Sequence, residues 1–396
     1  MKASRLKPFG APGAVSCGLL AGLGSLVSGC SADGTISAAR ETSTEAPVPA
    51  PVAATGDAGS ADAASCDDCE LFLPACEARS FCPVAEAHIE APVILSDLTG
   101  TSATDVWASG AKGTLLHYDG AAWSRVKGPD VSLAQIMSRA ETDVWTASML
   151  SQIFIRPARV EDEWTTARLV PLLHDADVHG MWAGNGAMWT WMAVRSYSAE
   201  TTLNITRVRK SATAYRFEAP FHCGGSCNPV QRLPFMDVHG SSKDELWAVG
   251  QMGTVLRISE ADADRPRAEA YDSRTYATLH GVWAGGPDDA WAVGSGGTIR
   301  HYSGSPDHRF EIVGSPVATT LRAIAGSSKS DVWAVGDGGV IVHYDGAAWS
   351  RVPLGAVPGR PDLYAVWAAS PTQVWVAGDS VLLELSVAGA TTGGGP

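Results

Sequence analysis

Leu321-Arg322-Ala323-Ile324-Ala325-Gly326, Asp331-Val332-Trp333-Ala334-Val335-Gly336, Val340-Ile341-Val342-His343-Tyr344 and Trp349-Ser350-Arg351-Val352 read as four short strands in succession. Polar or glycine turns separate them: Ser327 to Ser330, Asp337-Gly338-Gly339, and Asp345-Gly346-Ala347-Ala348. Asp/Gly chemistry suits tight hairpins that need φ > 0. The second strand is apolar on both faces, Val332 and Ala334 on one and Trp333 and Val335 on the other. A strand facing water on one side would alternate, so this sheet must be covered on both.

The unit recurs. Its core tryptophans are Trp107, Trp145, Trp189, Trp247, Trp291, Trp333 and Trp375, at steps of 38, 44, 58, 44, 42 and 42 residues. An apolar residue stands 12 positions before each, or 11 in the third copy: Leu95, Leu133, Val178, Phe235, Leu279, Leu321 and Leu363. Four-stranded sheets that cannot bury themselves singly, repeated at this period, stack face to face as a β-propeller. The last repeat ends in Ala/Thr/Gly without a fourth strand, while Val84 to Glu90 is spare ahead of the first. Pairing of that segment onto the last sheet would remove an open edge. The expected fold is therefore all-β: a seven-bladed β-propeller of four-stranded antiparallel blades over 84–388, closed by an N-terminal strand. A parallel solenoid accounts less well for the period and for the missing and spare strands.

Val-Trp-Ala-Val-Gly, then Gly-Thr/Val-Ile, then His-Tyr-Asp-Gly-x-x-Trp stands nearly whole at 106–123 and 331–349, and in part at 246–258 and 291–302. Over roughly 94–387 the chain resembles bacterial exported propellers related to Asp-box repeats and to the photosystem assembly-factor propellers. It departs from the Asp-box pattern because Asp119-Gly120 and Asp345-Gly346 are adjacent and no serine precedes them. The resemblance implies an architecture, and architecture does not carry function.

The chain has 396 residues, 45% hydrophobic and 18% charged, enough to bury a large core. Its formal net charge of −13 disfavours phosphate backbones, and nucleic acid is not an expected partner. Lys2, Arg5 and Lys7 precede an apolar stretch closed by Leu26-Val27-Ser28-Gly29-Cys30. This resembles a bacterial lipoprotein signal over 1–29, with Cys30 as the lipidated mature N-terminus. An ordinary secretory signal is the plainer alternative. Ser31 after the cysteine resembles the pattern that permits outer-membrane delivery, so an exported protein held to the membrane by its lipid alone is expected, on the periplasmic face or the cell surface. Residues 30–64 are almost wholly Ala, Ser, Thr, Pro, Gly, Asp and Glu, and read as a disordered tether with a reach of about 30 Å. A disordered tail is expected at 389–396.

Six further cysteines in an exported chain suggest three disulfides. Cys66, Cys69, Cys76 and Cys82 lie close together and allow three pairings, stapling a cap over 65–83. A four-cysteine zinc site competes with that reading. Cys223 and Cys227, across Gly224-Gly225-Ser226, would pinch the tip of a long excursion over 220–234, a candidate binding loop.

His117-Tyr118-Asp119-Gly120 and His343-Tyr344-Asp345-Gly346 recur at blade positions, so their aspartates are expected to accept turn N–H groups and Trp123 and Trp349 to pack between blades. His174, Asp175, Asp177 and His179 form the densest metal-capable cluster, yet His179 and His280 share one first-strand slot. Two such histidines could converge on a channel ligand or metal. The bland reading is polar channel lining, and no cofactor is expected. His239 stands three positions further along and is expected to face elsewhere; Asp262 to Asp264 reads as a solvated loop.

Catalytic signatures are absent: no Gly-x-Ser-x-Gly, His-Glu-x-x-His or phosphate loop occurs. A sialidase-like glycoside hydrolase at the channel mouth would need three converging arginines, drawn from Arg195, Arg207, Arg209, Arg232 and Arg322. The preferred expectation is a non-enzymatic cell-envelope platform for binding or assembling an unknown protein or glycan.

Overall fold

In the computed structural model the sixth repeat folds as strands Leu321–Ser328, Asp331–Gly336, Ile341–Tyr344 and Trp349–Arg351, each antiparallel to the next. The structure describes residues 71–73, 75–89, 92–139, 143–149, 152–157, 164–168, 176–196, 204–210, 214–221 and 233–386. The segments expected as leader, tether and tail, and Cys30, Cys66, Cys69, Cys223 and Cys227, lie outside them.

Six sheets have the same four-stranded antiparallel form, and we number them as blades in chain order. Their inner strands are Leu95–Ser102, Leu133–Arg139, Ala176–Trp182, Phe235–Ser242, Leu279–Gly286 and Leu321–Ser328. The expectation of seven four-stranded antiparallel blades is corrected here. The remaining sheet has six strands and is mixed, so six blades carry the repeat's form. Its last-repeat strands, Leu363–Ser370, Gln373–Gly378 and Val381–Leu385, end without a fourth of their own. Phe81–Pro83 pairs antiparallel to Val381–Leu385, and Leu354–Gly355 and Phe72–Leu73 continue the sheet in parallel. We call this the closing sheet. Its inner strand packs against that of the sixth blade on one side and of the first on the other, so the inner strands form a closed ring. The added strands cover an edge that would otherwise offer unpaired N–H and C=O groups.

The pairing segment also differs from Val84 to Glu90. Only Val84 joins, its N–H donating to the Leu382 carbonyl; Ala85–Ala87 is a 3-10 turn and His88 is left-handed. Ala87 is buried instead among first-blade and closing-sheet residues, including Leu98 and Trp375, so this segment fills the seam. The stretch expected to form a cap therefore supplies strands to the closing sheet, and Cys76 is bridged to Cys82 beside them.

Each core tryptophan is buried between neighbouring sheets. In the third blade the residue in register is Trp191, across from Trp182, as Trp291 faces Trp283 and Trp375 faces Trp367. Trp189, chosen from spacing, precedes the strand Thr190–Ser196 and is buried against Arg207 and Arg209, whose guanidinium carbons lie 4.0 and 4.8 Å from its ring. The spacing misled because the hairpin there differs in length.

The turn aspartates behave as expected: Asp119 Oδ1 accepts from Ala121 and Ala122 N–H, and Asp345 Oδ1 from Ala347 and Ala348 N–H. The histidines of the same motif have a role the sequence did not suggest. His343 Nε2 lies 2.7 Å from Asp331 Oδ1, which also accepts from Trp333 Nε1 at 3.1 Å, and the His343 ring stacks on the indole at 3.9 Å. Asp105, Trp107 and His117 repeat this arrangement. Burial alone would raise the Asp331 carboxyl, but hydrogen bonds from His343 and Ser327 outweigh it and hold it below the usual range.

Candidate functional site: the central channel

The inner strands surround a cavity of about 300 Å³. A bulge at one residue near the start of each of these strands turns it inward, so His179, His280, Arg322 and Tyr364 line one level of the channel. His280 Nε2 lies 3.0 Å from Ser295 Oγ, whereas His179 Nε2 is buried with no hydrogen-bond partner among the described residues. Burial lowers both imidazoles; Arg195 adds to this at His179, and Arg322 and the His179 charge at His280. The two histidines thus share one electrostatic neighbourhood. Among the described residues no three His, Cys, Asp or Glu groups are arranged to hold a metal, and His174 and Asp175 lie outside them. Arg322 is bonded to Asp337 and lies 5.2 Å from the Tyr364 ring centroid.

One level deeper are two carboxylates that the motif search did not single out. Asp97 Oδ1 accepts from Leu98 N–H and Oδ2 from Ile136 N–H of the second blade, at 2.9 and 2.8 Å. Asp237 likewise accepts from Val238 N–H at 2.7 Å and from Val282 N–H of the fifth blade at 2.9 Å. Each carboxylate therefore pins the inner strand of the next blade. Both keep partial surface on the channel, but protein surrounds them at that depth, and depth governs their hydration. Burial pushes Asp97 up to about 8, against the opposing N–H bonds and with a contribution from the Asp237 charge. It pushes Asp237 up to about 6.

His239, expected to face elsewhere, also lines the channel. Its Nδ1 accepts from Ala284 N–H at 3.1 Å, which places the proton of the neutral ring on Nε2, and burial lowers it to about 4. At the same level Trp182, Trp283 and Trp367 lie over Gly240, Gly326 and Gly100 of the following sheet. A Cβ on Gly326 would come within 2.7 Å of the Trp283 ring, so this close approach requires glycine.

The arginines considered for a sialidase-like site do not converge. Arg322 and Arg195 are near the channel, Arg195 paired with Asp177 at 3.2 Å. Arg207 is wholly buried in the third blade, donating to the carbonyls of Ala261, Ala263 and Asp264 and to Glu218. Arg209 lies over Trp189, and Arg232 is outside the described residues. Asp262, expected in a solvated loop, is buried and accepts from Met188 and Trp189 N–H, since the Arg207 clamp holds that loop against the third blade.

No family model matches the chain, and no curated protein matches it. Solved structures do. YCF48 bound to D1 peptide is 17% identical with a TM-score of 0.56, covering 80% of this chain and 99% of that one. YCF48 from Cyanidioschyzon merolae is 16% identical with a TM-score of 0.58, covering 78% and 98%. The WD40 β-propeller domain of Doa1 is 9% identical with a TM-score of 0.57, covering 77% and 96%. The chain has the β-propeller fold. At these identities the likeness extends to fold alone.

Proposed function

We propose that this protein is a non-enzymatic binding or assembly scaffold that offers its channel mouth to a segment of a protein partner. The observation carrying this reading is that both deep channel carboxylates use their two oxygens to hold backbone N–H groups of adjacent strands. They are structural pins, which leaves no free acid and base pair there for glycoside hydrolysis. The mouth instead offers the Arg322 guanidinium, the Tyr364 ring and the His280 imidazole, groups suited to polypeptide recognition. The YCF48 structure with its D1 peptide is a precedent within the same fold. A glycan ligand is the second reading, supported by the aromatic lining.

Export, lipidation at Cys30 and a tether over 30–64 would display the propeller from the outer membrane. Cys30→Ser should release it into the soluble fraction, and continued membrane association would discard the anchor. For the scaffold itself, envelope extract is cross-linked to the wild type and to an Arg322→Ala/Tyr364→Ala variant. A polypeptide captured only by the wild type supports the proposal. Hydrolysis of a sialoside by the purified protein, lost in the same variant, would replace it with the enzymatic one.

A further inference from the structure

One seam of the ring breaks a rule that the other blades keep. The third-strand residue opposite the one preceding each in-register tryptophan is Tyr118, Arg156, Val208, Ile258, Tyr302 and Tyr344 in blades one to six. This position faces the core tryptophan of the preceding sheet. Tyr118 meets Trp375 at 5.2 Å, Tyr302 meets Trp247 at 5.1 Å and Tyr344 meets Trp291 at 4.8 Å, while Val208 and Ile258 join the clusters around Trp145 and Trp191. Only the second blade places a charge there. The Arg156 guanidinium carbon stands 5.8 Å from the Trp107 ring.

The second plug is kept. Trp123 and Trp349 reach the tryptophan of the preceding sheet, at 6.2 and 5.4 Å. Trp164, just ahead of the corresponding strand in the second blade, packs against the cluster around Trp107 and donates its Nε1 to the Lys127 carbonyl. Beside Arg156 the seam between the first two blades holds a cleft of about 660 Å³, walled by Trp107 and His117 on one side and Arg139 and Arg156 on the other. The carboxylates within it are engaged: Asp105 by Trp107, His117 and Thr101, and Asp143 by Arg139. Arg156 has no carboxylate partner among the described residues.

We infer that this seam is a binding site for an aromatic ring bearing a carboxylate. The ring fills the space beside Trp107 that a tyrosine ring occupies in the seams before the first, fifth and sixth blades, and the carboxylate pairs with Arg156, whose planar fork matches it in two hydrogen bonds. The same chemistry comes from a free aromatic acid or from the C-terminal aromatic residue of a polypeptide. This site is separate from the channel mouth and does not depend on the scaffold reading.

The test is calorimetric titration of the whole protein with phenylacetate, phenylacetamide, acetate, and a tripeptide ending in phenylalanine with a free or amidated terminus. Phenylacetate should bind saturably and on the order of tenfold or more tighter than phenylacetamide or acetate, the weight of a charge-assisted pair. Tighter binding of the free-acid tripeptide identifies a polypeptide terminus as the source, and tighter binding of phenylacetate identifies a small acid. Arg156→Leu should lose at least tenfold in affinity while still filling its seam. Arg156→Tyr should abolish binding and raise the melting temperature by restoring the plug. Absence of saturable binding to the wild type, equal binding of acetate and phenylacetate, or undiminished binding by either folded variant overturns the inference.

Discussion

Replacing Phe81 with alanine should unfasten the closing sheet. Phe81 is completely buried, meets Trp333 edge-on at 5.5 Å, donates its N–H to the Pro353 carbonyl and pairs with Leu385. Deleting a ring that buries about 150 Å² at about 25 cal/mol/Å² costs roughly 4 kcal/mol, and the cavity left behind keeps the cost within about 3–5 kcal/mol. With an unfolding entropy of about 2.1 cal/mol/K per residue over a unit of about 300 residues, that predicts a melting point lower by about 6 °C. Differential scanning calorimetry reads the shift, with the exposed Ile312→Ala as a control that should move the melt by less than about 1 °C. A Phe81→Ala melt indistinguishable from that control would refute the claim that this strand secures the ring.

Cys76→Ser, which opens the bridge to Cys82 beside that strand, should cost about 2 kcal/mol by the loop-entropy argument, seen as an earlier denaturant midpoint. Asp331→Ala strands Trp333 Nε1 and His343 Nε2 inside the seam and should cost about 2–3 kcal/mol in urea unfolding; Asp345→Ala, in an exposed turn, should cost clearly less. The Asp97 carboxyl, held up to about 8 when folded and ordinary when unfolded, binds more protons in the folded state across pH 4–8, so its contribution falls as pH rises through that window. His239, held down to about 4, acts oppositely below about pH 6.5, and Asp237 adds to the Asp97 trend only up to about 6. Between pH 6.5 and 8 stability should therefore drop by about 1–2 kcal/mol, and Asp97→Asn should flatten the profile; matching profiles for the two proteins would contradict the assignment.

The blade was legible because its signals are local. Asp331 to Trp349 contains two of its three turns and its two-faced strand, and the folded sixth repeat follows the reading nearly residue for residue. The closing sheet was not, because Phe72–Leu73 and Leu354–Gly355 are too short to announce themselves as strands and owe their conformation to a distant edge. Spacing alone chose Trp189 over Trp191, since a hairpin of different length shifts the count while the pairing register is kept. The channel pins Asp97 and Asp237 looked like ordinary polar residues because their partners lie one blade away. Arg156 could have been noticed by aligning the repeats on their third strands, since at its position the other five blades carry tyrosine, valine or isoleucine.

Joining Phe81–Pro83 to Val381–Leu385 also sets an order of events. During synthesis the first of these strands emerges long before its mate exists, and the ring cannot lock until the last repeat has been made. Truncation near the C-terminus should thus be felt at the opposite end of the chain. A protein born vectorially would spend its apprenticeship as an unlatched arc, with Phe81–Pro83 waiting for Val381–Leu385.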